Sequence, residues 1–130
     1  MTILVAYVPR PEGQAALEKG IELAKERNEF LIVVNATPGG TGDDPSRADA
    51  QDVERVEQLI SVSGIQSEFK QFVRGKNAVE ELEEMVLAHQ VSMLVIGPRK
   101  RTAVGKLIMG SMAQEILMTI PCPILAVKAD

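Results

Sequence analysis

Between positions 97 and 111 the chain collects the residue types that hold an anion. Gly97 directly follows the apolar run Met93–Ile96, so a backbone can approach there where a side chain would intrude. Gly110-Ser111 opens a helical pattern, and Ser111 with Gln114 fits the capping box. The first amides of such a helix point outward with a partial positive charge that suits an oxyanion. Arg99, Lys100, Arg101 and Lys106 lie between the two glycines with no acid among positions 99–106. They leave ten basic residues against eighteen acidic ones on the other 122 positions. A positive island on an acidic chain is chemistry for a phosphate. A Gly-Ser helix start is also an ordinary cap, and a charge run an ordinary solvated face. Gly105-Lys106 is followed by Leu107 and no glycine stands at position 100, which excludes a Walker P-loop.

Catalytic constellations are absent from the sequence. His89 is the one histidine and Cys122 the one cysteine, and both precede apolar strand patterns, at the edge of a sheet opposite its ligand crevice. No Ser-His-Asp set and no Cys/His metal spacing can be assembled. Asp43, Asp44 and Asp49 form an acidic patch that lacks the glycine and glutamate of a calcium loop, so solvation is its expected role. The six methionines are scattered and read as core filler.

The elements that must position the 97–111 segment alternate in period. Ile3–Val8 reads as a buried strand ended by Pro9-Arg10-Pro11. A helix runs to about Asn28 with Ala16, Leu17, Ile21 and Ala24 on one face, and Phe30–Ala36 is a second apolar strand. After the Pro38–Pro45 loop, Ser46–Ser63 reads as a helix with Val53, Val56 and Ile60 inward and its acids outward. Ile65–Val73 is a more polar strand, as an edge strand should be. The Gly75-Lys76-Asn77 turn leads to a helix capped by Asn77, with Glu80 in a capping-box position and Val79, Leu82 and Val86 inward. Met93–Ile96 is a strand, Arg99–Met109 a basic loop or short helix, Ser111–Ile120 a helix and Ile124–Val127 a last strand.

Strands that are apolar throughout, separated by helices, predict an α/β domain on a Rossmann-like parallel sheet covered on both faces. With right-handed crossovers and a polar third strand, the order is 3-2-1-4-5. The connections then reverse between the first and fourth strands, and ligands of open sheets bind in that crevice. The loops that reach it are Val8–Gly13 and Gly97–Ser111, so topology selects the basic segment independently of its charge.

Composition narrows the partners. The 130 residues fit one domain, 1–130, able to bury a core without a disulfide. Aromatics are 3% with no tryptophan and the net charge is -4, which argues against a nucleic-acid partner. A lone cysteine fits a reducing compartment, and the first residues lack the basic start and the length of a secretory signal. No apolar stretch reaches the length of a membrane span. The expectation is a soluble cytoplasmic protein with no membrane partner.

Along its whole length the chain resembles the universal stress protein family. The resemblance is carried by Ile3-Leu4-Val5-Ala6, by Pro11-Glu12-Gly13-Gln14-Ala15-Ala16-Leu17 and by Pro121-Cys122-Pro123-Ile124-Leu125-Ala126-Val127. It is carried above all by Leu94-Val95-Ile96-Gly97 with Gly110-Ser111 at the right separation. ATP-binding members carry Gly-x2-Gly-x9-Gly-[Ser/Thr], and here the string is Gly97-x2-Lys100-x9-Gly110-Ser111. Val8 stands where ATP binders usually have an aspartate, and Lys100 replaces the second glycine.

The resemblance implies an adenine-nucleotide alpha-hydrolase-like fold and a stress-response regulator that binds ATP or AMP, with magnesium, or a related phosphate ligand. The candidate binding residues are Val8, Ala36, Gly97, Arg99, Lys100, Gly110, Ser111 and Met112. Gly110 and Ser111 would hold the phosphates, Gly97 and its neighbours the ribose and phosphates, and the end of the second strand near Ala36 the adenine. Lys100 is expected to act as a phosphate partner. Without a general base, any ATP hydrolysis would be slow. The resemblance also implies a homodimer paired through the strand at Pro123–Lys128. The alternative is a homodimeric interaction protein of the same family that binds no ATP.

Overall fold

The computed structural model describes residues 1–36, 47–72, 77–99, 101–103, 106–108 and 110–129, with 36, 101–103 and 106–108 described in backbone only. The Pro38–Pro45 loop with Asp43 and Asp44, the Ser46 start of the second helix, Gly75-Lys76 and Lys100 therefore lie outside the described residues.

The main sheet is five-stranded and parallel throughout, in the order β3-β2-β1-β4-β7. Its strands are β1 (Thr2–Ala6), β2 (Phe30–Ala36), β3 (Ser67–Phe72), β4 (Val91–Ile96) and β7 (Ile124–Ala126). Four helices cross between them: α1 (Pro11–Arg27), α2 (Ala50–Ser63), α3 (Ala78–Ala88) and α4 (Ser111–Thr119). This is the predicted walk outward through three strands followed by a return beside the first.

Both faces of the central strands are covered, which is why their sequences are apolar without alternation. Leu4, Ile32, Val34, Leu94 and Ile96 pack with Leu82 and Val86 of α3 and Ile116 of α4. Their neighbours Ile3, Val5, Leu31, Val33 and Val95 point the other way, against Leu17 of α1 and Val56 and Ile60 of α2. β3 is half-buried along its length, as an outer strand carrying Glu68, Lys70 and Gln71 must be.

The helices begin and end for local reasons. Pro11 opens α1, where its missing N–H costs nothing, and Asn28 closes it in the left-handed region at φ 54°. α2 starts later than predicted, because Asp49 caps it in a reciprocal box with Asp52. Hydrogen bonds led by the Asp52 amide hold the Asp49 carboxyl below its ordinary value. The same box turns Asp52 inward, so the expectation that all the acids of this helix face solvent is corrected. Asn77 caps α3 by accepting from the Val79 amide, and Val79, Leu82 and Val86 are buried as predicted.

Two further corrections concern the basic segment. Arg99–Met109 is neither a loop nor a short helix. β5 (Arg101–Ala103) pairs antiparallel with β6 (Lys106–Ile108) as a hairpin separate from the main sheet. Its register pairs Arg101 with Ile108 and Ala103 with Lys106. The charges at Arg101 and Lys106 obscured that pattern in the sequence. Ser111 does not cap α4 either. Gly110 is the cap residue and makes no side-chain bond, while Ser111 is already the first helical residue.

Candidate functional site

A cavity of about 190 Å³ opens beyond the carboxyl ends of β1 and β4, where the connections of the sheet reverse. Its floor is apolar: Ala6 and Val34 from β1 and β2, Ile96 from β4, Leu82 from α3 and Ile116 from α4. Its rim is polar, with Arg10 and Arg99 on the loops and Gly110 and Ser111 at the start of α4. No aspartate or glutamate belongs to the described lining. Such a cavity can take an apolar or aromatic moiety on its floor and an anionic group at its mouth.

Six of the eight candidate residues come together there: Val8, Gly97, Arg99, Gly110, Ser111 and Met112. Ala36 closes β2, in register with Phe72, and is described in backbone only. Lys100 lies outside the described residues. His89 and Cys122 stand away from the cavity, at the opposite edge of the sheet, as their positions before strands predicted. Burial pushes the Cys122 thiol up, against the reactive thiolate form. Among the described residues no group of His, Cys, Asp or Glu is arranged to hold a metal ion.

The two glycines of the motif have different physical reasons. A Cβ on Gly97 would lie 2.0 Å from the Glu12 carbonyl oxygen, so this glycine admits the first turn of α1. Gly13 does the same from the helix side, its missing Cβ falling 1.8 Å from the Val8 oxygen. The loops after β1 and β4 are thereby clamped to one helix turn. Gly110 is the opposite case. Its backbone is extended at φ -65° and ψ 159°, and among the described residues nothing beyond its chain neighbours lies within 4 Å of the Cβ position. No described contact requires a glycine there.

Three residues of this region were not singled out in the sequence. In the sequence Arg10 lies between two prolines and belongs to a strand breaker. Tyr7 is there one more residue of an apolar strand pattern. It is buried on an edge-to-face contact with Phe69 (6.4 Å between ring centres), and burial, helped by Asp52, pushes its phenol up so that it stays neutral. Asn35 is fully buried in an apolar run, and that anomaly was the available signal. Its amide donates to the Tyr7 carbonyl at 2.9 Å, while its oxygen accepts from the Ala48 amide at 2.9 Å and from Gln71 at 3.1 Å.

Asn35 thus ties the ends of β1, β2 and β3 to the approach of α2, beside the cavity. Asn35→Leu removes these bonds at once and strands the Tyr7 carbonyl and the Ala48 amide, while Gln71 keeps its bond to the Ala48 carbonyl. A loss of about 3 kcal/mol is expected. Thermal unfolding checks it, and an unchanged melting temperature would show that the tie is dispensable.

The model of the Universal stress protein family matches residues 1–128. The chain belongs to this family. A universal stress protein of Mycolicibacterium smegmatis is 44% identical over 126 residues, 97% of this chain and 96% of that protein. Among solved structures, a universal stress protein from Archaeoglobus fulgidus superposes with a TM-score of 0.71 at 26% identity, covering 98% of this chain and 97% of the other. A structure of the Archaeoglobus fulgidus protein in complex with dAMP matches with a TM-score of 0.68 at 21% identity, over 98% and 96% of the two chains. Universal stress proteins in complex with cAMP and with AMP share the fold as well.

Proposed function

We propose that this universal stress protein is a stress-response regulator that binds an adenine nucleotide in the cavity between β1 and β4. The observation that carries the reading is the division of that cavity. It joins an apolar floor that accepts a base to a rim of two arginines and a helix opening, with no described carboxylate to repel phosphate. The structures of relatives with dAMP, cAMP and AMP support a nucleotide as the ligand class.

In this reading Gly110 and Ser111 receive the phosphate at the start of α4, and Arg99 with Lys100 supplies the field that attracts it. Val8 gives an apolar contact where ATP binders usually carry an aspartate, so the adenosine is held without that carboxylate. No carboxylate belongs to the described lining, so with ATP any magnesium would enter with the phosphates. The reading includes a cytoplasmic homodimer: β7 is an outer strand of the described sheet, and an edge of that kind can take a second copy of the same strand.

Thermal unfolding with AMP and ATP tests the proposal. A ligand at 100 times its dissociation constant adds about 2.7 kcal/mol. For a domain of this size that is a rise of roughly ten degrees. No rise with either nucleotide, with or without magnesium, would favour the interaction-protein alternative.

A further inference from the structure

Arg10 stands where the rules of helix formation ask for something else. It occupies the position before α1, yet its side chain makes no capping bond. Asp49 and Asn77 hold the same position before α2 and α3, and both accept from helix amides. A helix start carries partial positive charge, so a guanidinium there is disfavoured where an aspartate would be held. The Arg10 Nε is moreover buried without a hydrogen-bond partner among the described residues. Arg10 takes part in none of the ion pairs among those residues. A buried donor on a charged group is costly to leave unmade. Such a conflict between local rules and sequence marks a functional position.

The side chain lines the cavity and also borders a shallow recess with Gln14, Arg55 and Leu59. In that recess Arg55 already pairs with Asp52, whereas the described lining of the cavity offers Arg10 no carboxylate. The unmet demand for an anion therefore lies on the cavity side.

We propose that Arg10 is a specificity-determining residue of this cavity, its guanidinium donating to a phosphate-type oxyanion and selecting phosphorylated ligands over uncharged nucleosides. The inference rests on the same cavity as the nucleotide reading, but it concerns the anion and not the base. A planar guanidinium meets an oxyanion through two donors at once, which a lysine cannot reproduce.

Calorimetric titration of wild type, Arg10→Gln and Arg10→Lys with AMP, adenosine and inorganic pyrophosphate tests it. Arg10→Gln is expected to bind AMP and pyrophosphate at least tenfold more weakly while keeping the wild-type affinity for adenosine. Arg10→Lys should fall between the two. Without ligand, Arg10→Gln should melt no lower than wild type, because among the described residues the Arg10 Nε has no partner to lose. Unchanged AMP affinity in Arg10→Gln, an equal loss for adenosine, or a lowered melting temperature would overturn the assignment. If wild type takes pyrophosphate, Arg10→Gln loses it, and AMP binds no tighter than pyrophosphate, the arginine assignment stands and the adenine reading falls. If wild type and Arg10→Gln bind AMP equally, the adenine reading stands and the arginine assignment falls. Wild type that binds no pyrophosphate also overturns the role of Arg10.

Discussion

Gly97→Ala is expected to destabilise the protein by about 3 kcal/mol or more, a large share of the stability of an ordinary domain. The new methyl carbon would stand 2.0 Å from the Glu12 carbonyl oxygen and 2.5 Å from its carbon. Both are backbone atoms in the first turn of α1, so no rotamer change can clear them. The turn itself must retreat, and with it the clamp that Gly13 makes on the Val8 carbonyl. α1 buries Ala16, Leu17 and Ala24 against the sheet, so its displacement loosens one of the two cores. Denaturant unfolding measures the loss. A midpoint equal to wild type would mean that α1 can shift without cost.

Gly110→Val should do the reverse. The extended backbone at this position accepts any residue, and open space surrounds the Cβ direction among the described atoms. The change costs a poorer helix cap, about 1 kcal/mol. Nucleotide binding, by contrast, is expected to fall at least a hundredfold, because two methyl groups occupy the volume in which a phosphate meets the first amides of α4. Melting temperature and calorimetry on the same preparation separate the two effects. Intact binding in a folded Gly110→Val protein would move the phosphate elsewhere. One motif therefore holds a glycine required by a close backbone contact and a glycine that no described contact requires.

The order of the main sheet was legible because the burial of each strand was written in its residues. Apart from Thr2, Asn35 and Ser92, β1, β2 and β4 are apolar on both faces, while Glu68, Lys70 and Gln71 mark β3 as an outer strand. The place of the cavity followed from that order. What escaped were features in which a polar residue serves a purpose that local periodicity does not encode. Arg101 and Lys106 interrupt the apolar signal of a three-residue hairpin, so β5 and β6 read as a loop. Asp52 looks like any surface acid until its bond to the Asp49 amide turns it inward. Asn35 reaches Tyr7, Ala48 and Gln71 through contacts that exist only once three strands align. Arg10 gave no periodic signal at all, since its meaning lies in what it fails to do for α1. Ser111 shows the converse error: a cap-like sequence shifted by one residue, because Gly110 already adopts the cap conformation.

The central claim, a phosphorylated nucleotide held at the carboxyl ends of β1 and β4, is tested most directly by amide chemical shifts of nitrogen-labelled protein during titration with AMP. Saturable shifts are predicted at Val8 and Arg10, at Gly97 and Arg99, and along Gly110–Ala113, with α2 and the amino-terminal ends of the strands unmoved. No shifts up to millimolar AMP, or the largest shifts on α2 or beside His89, would contradict the account.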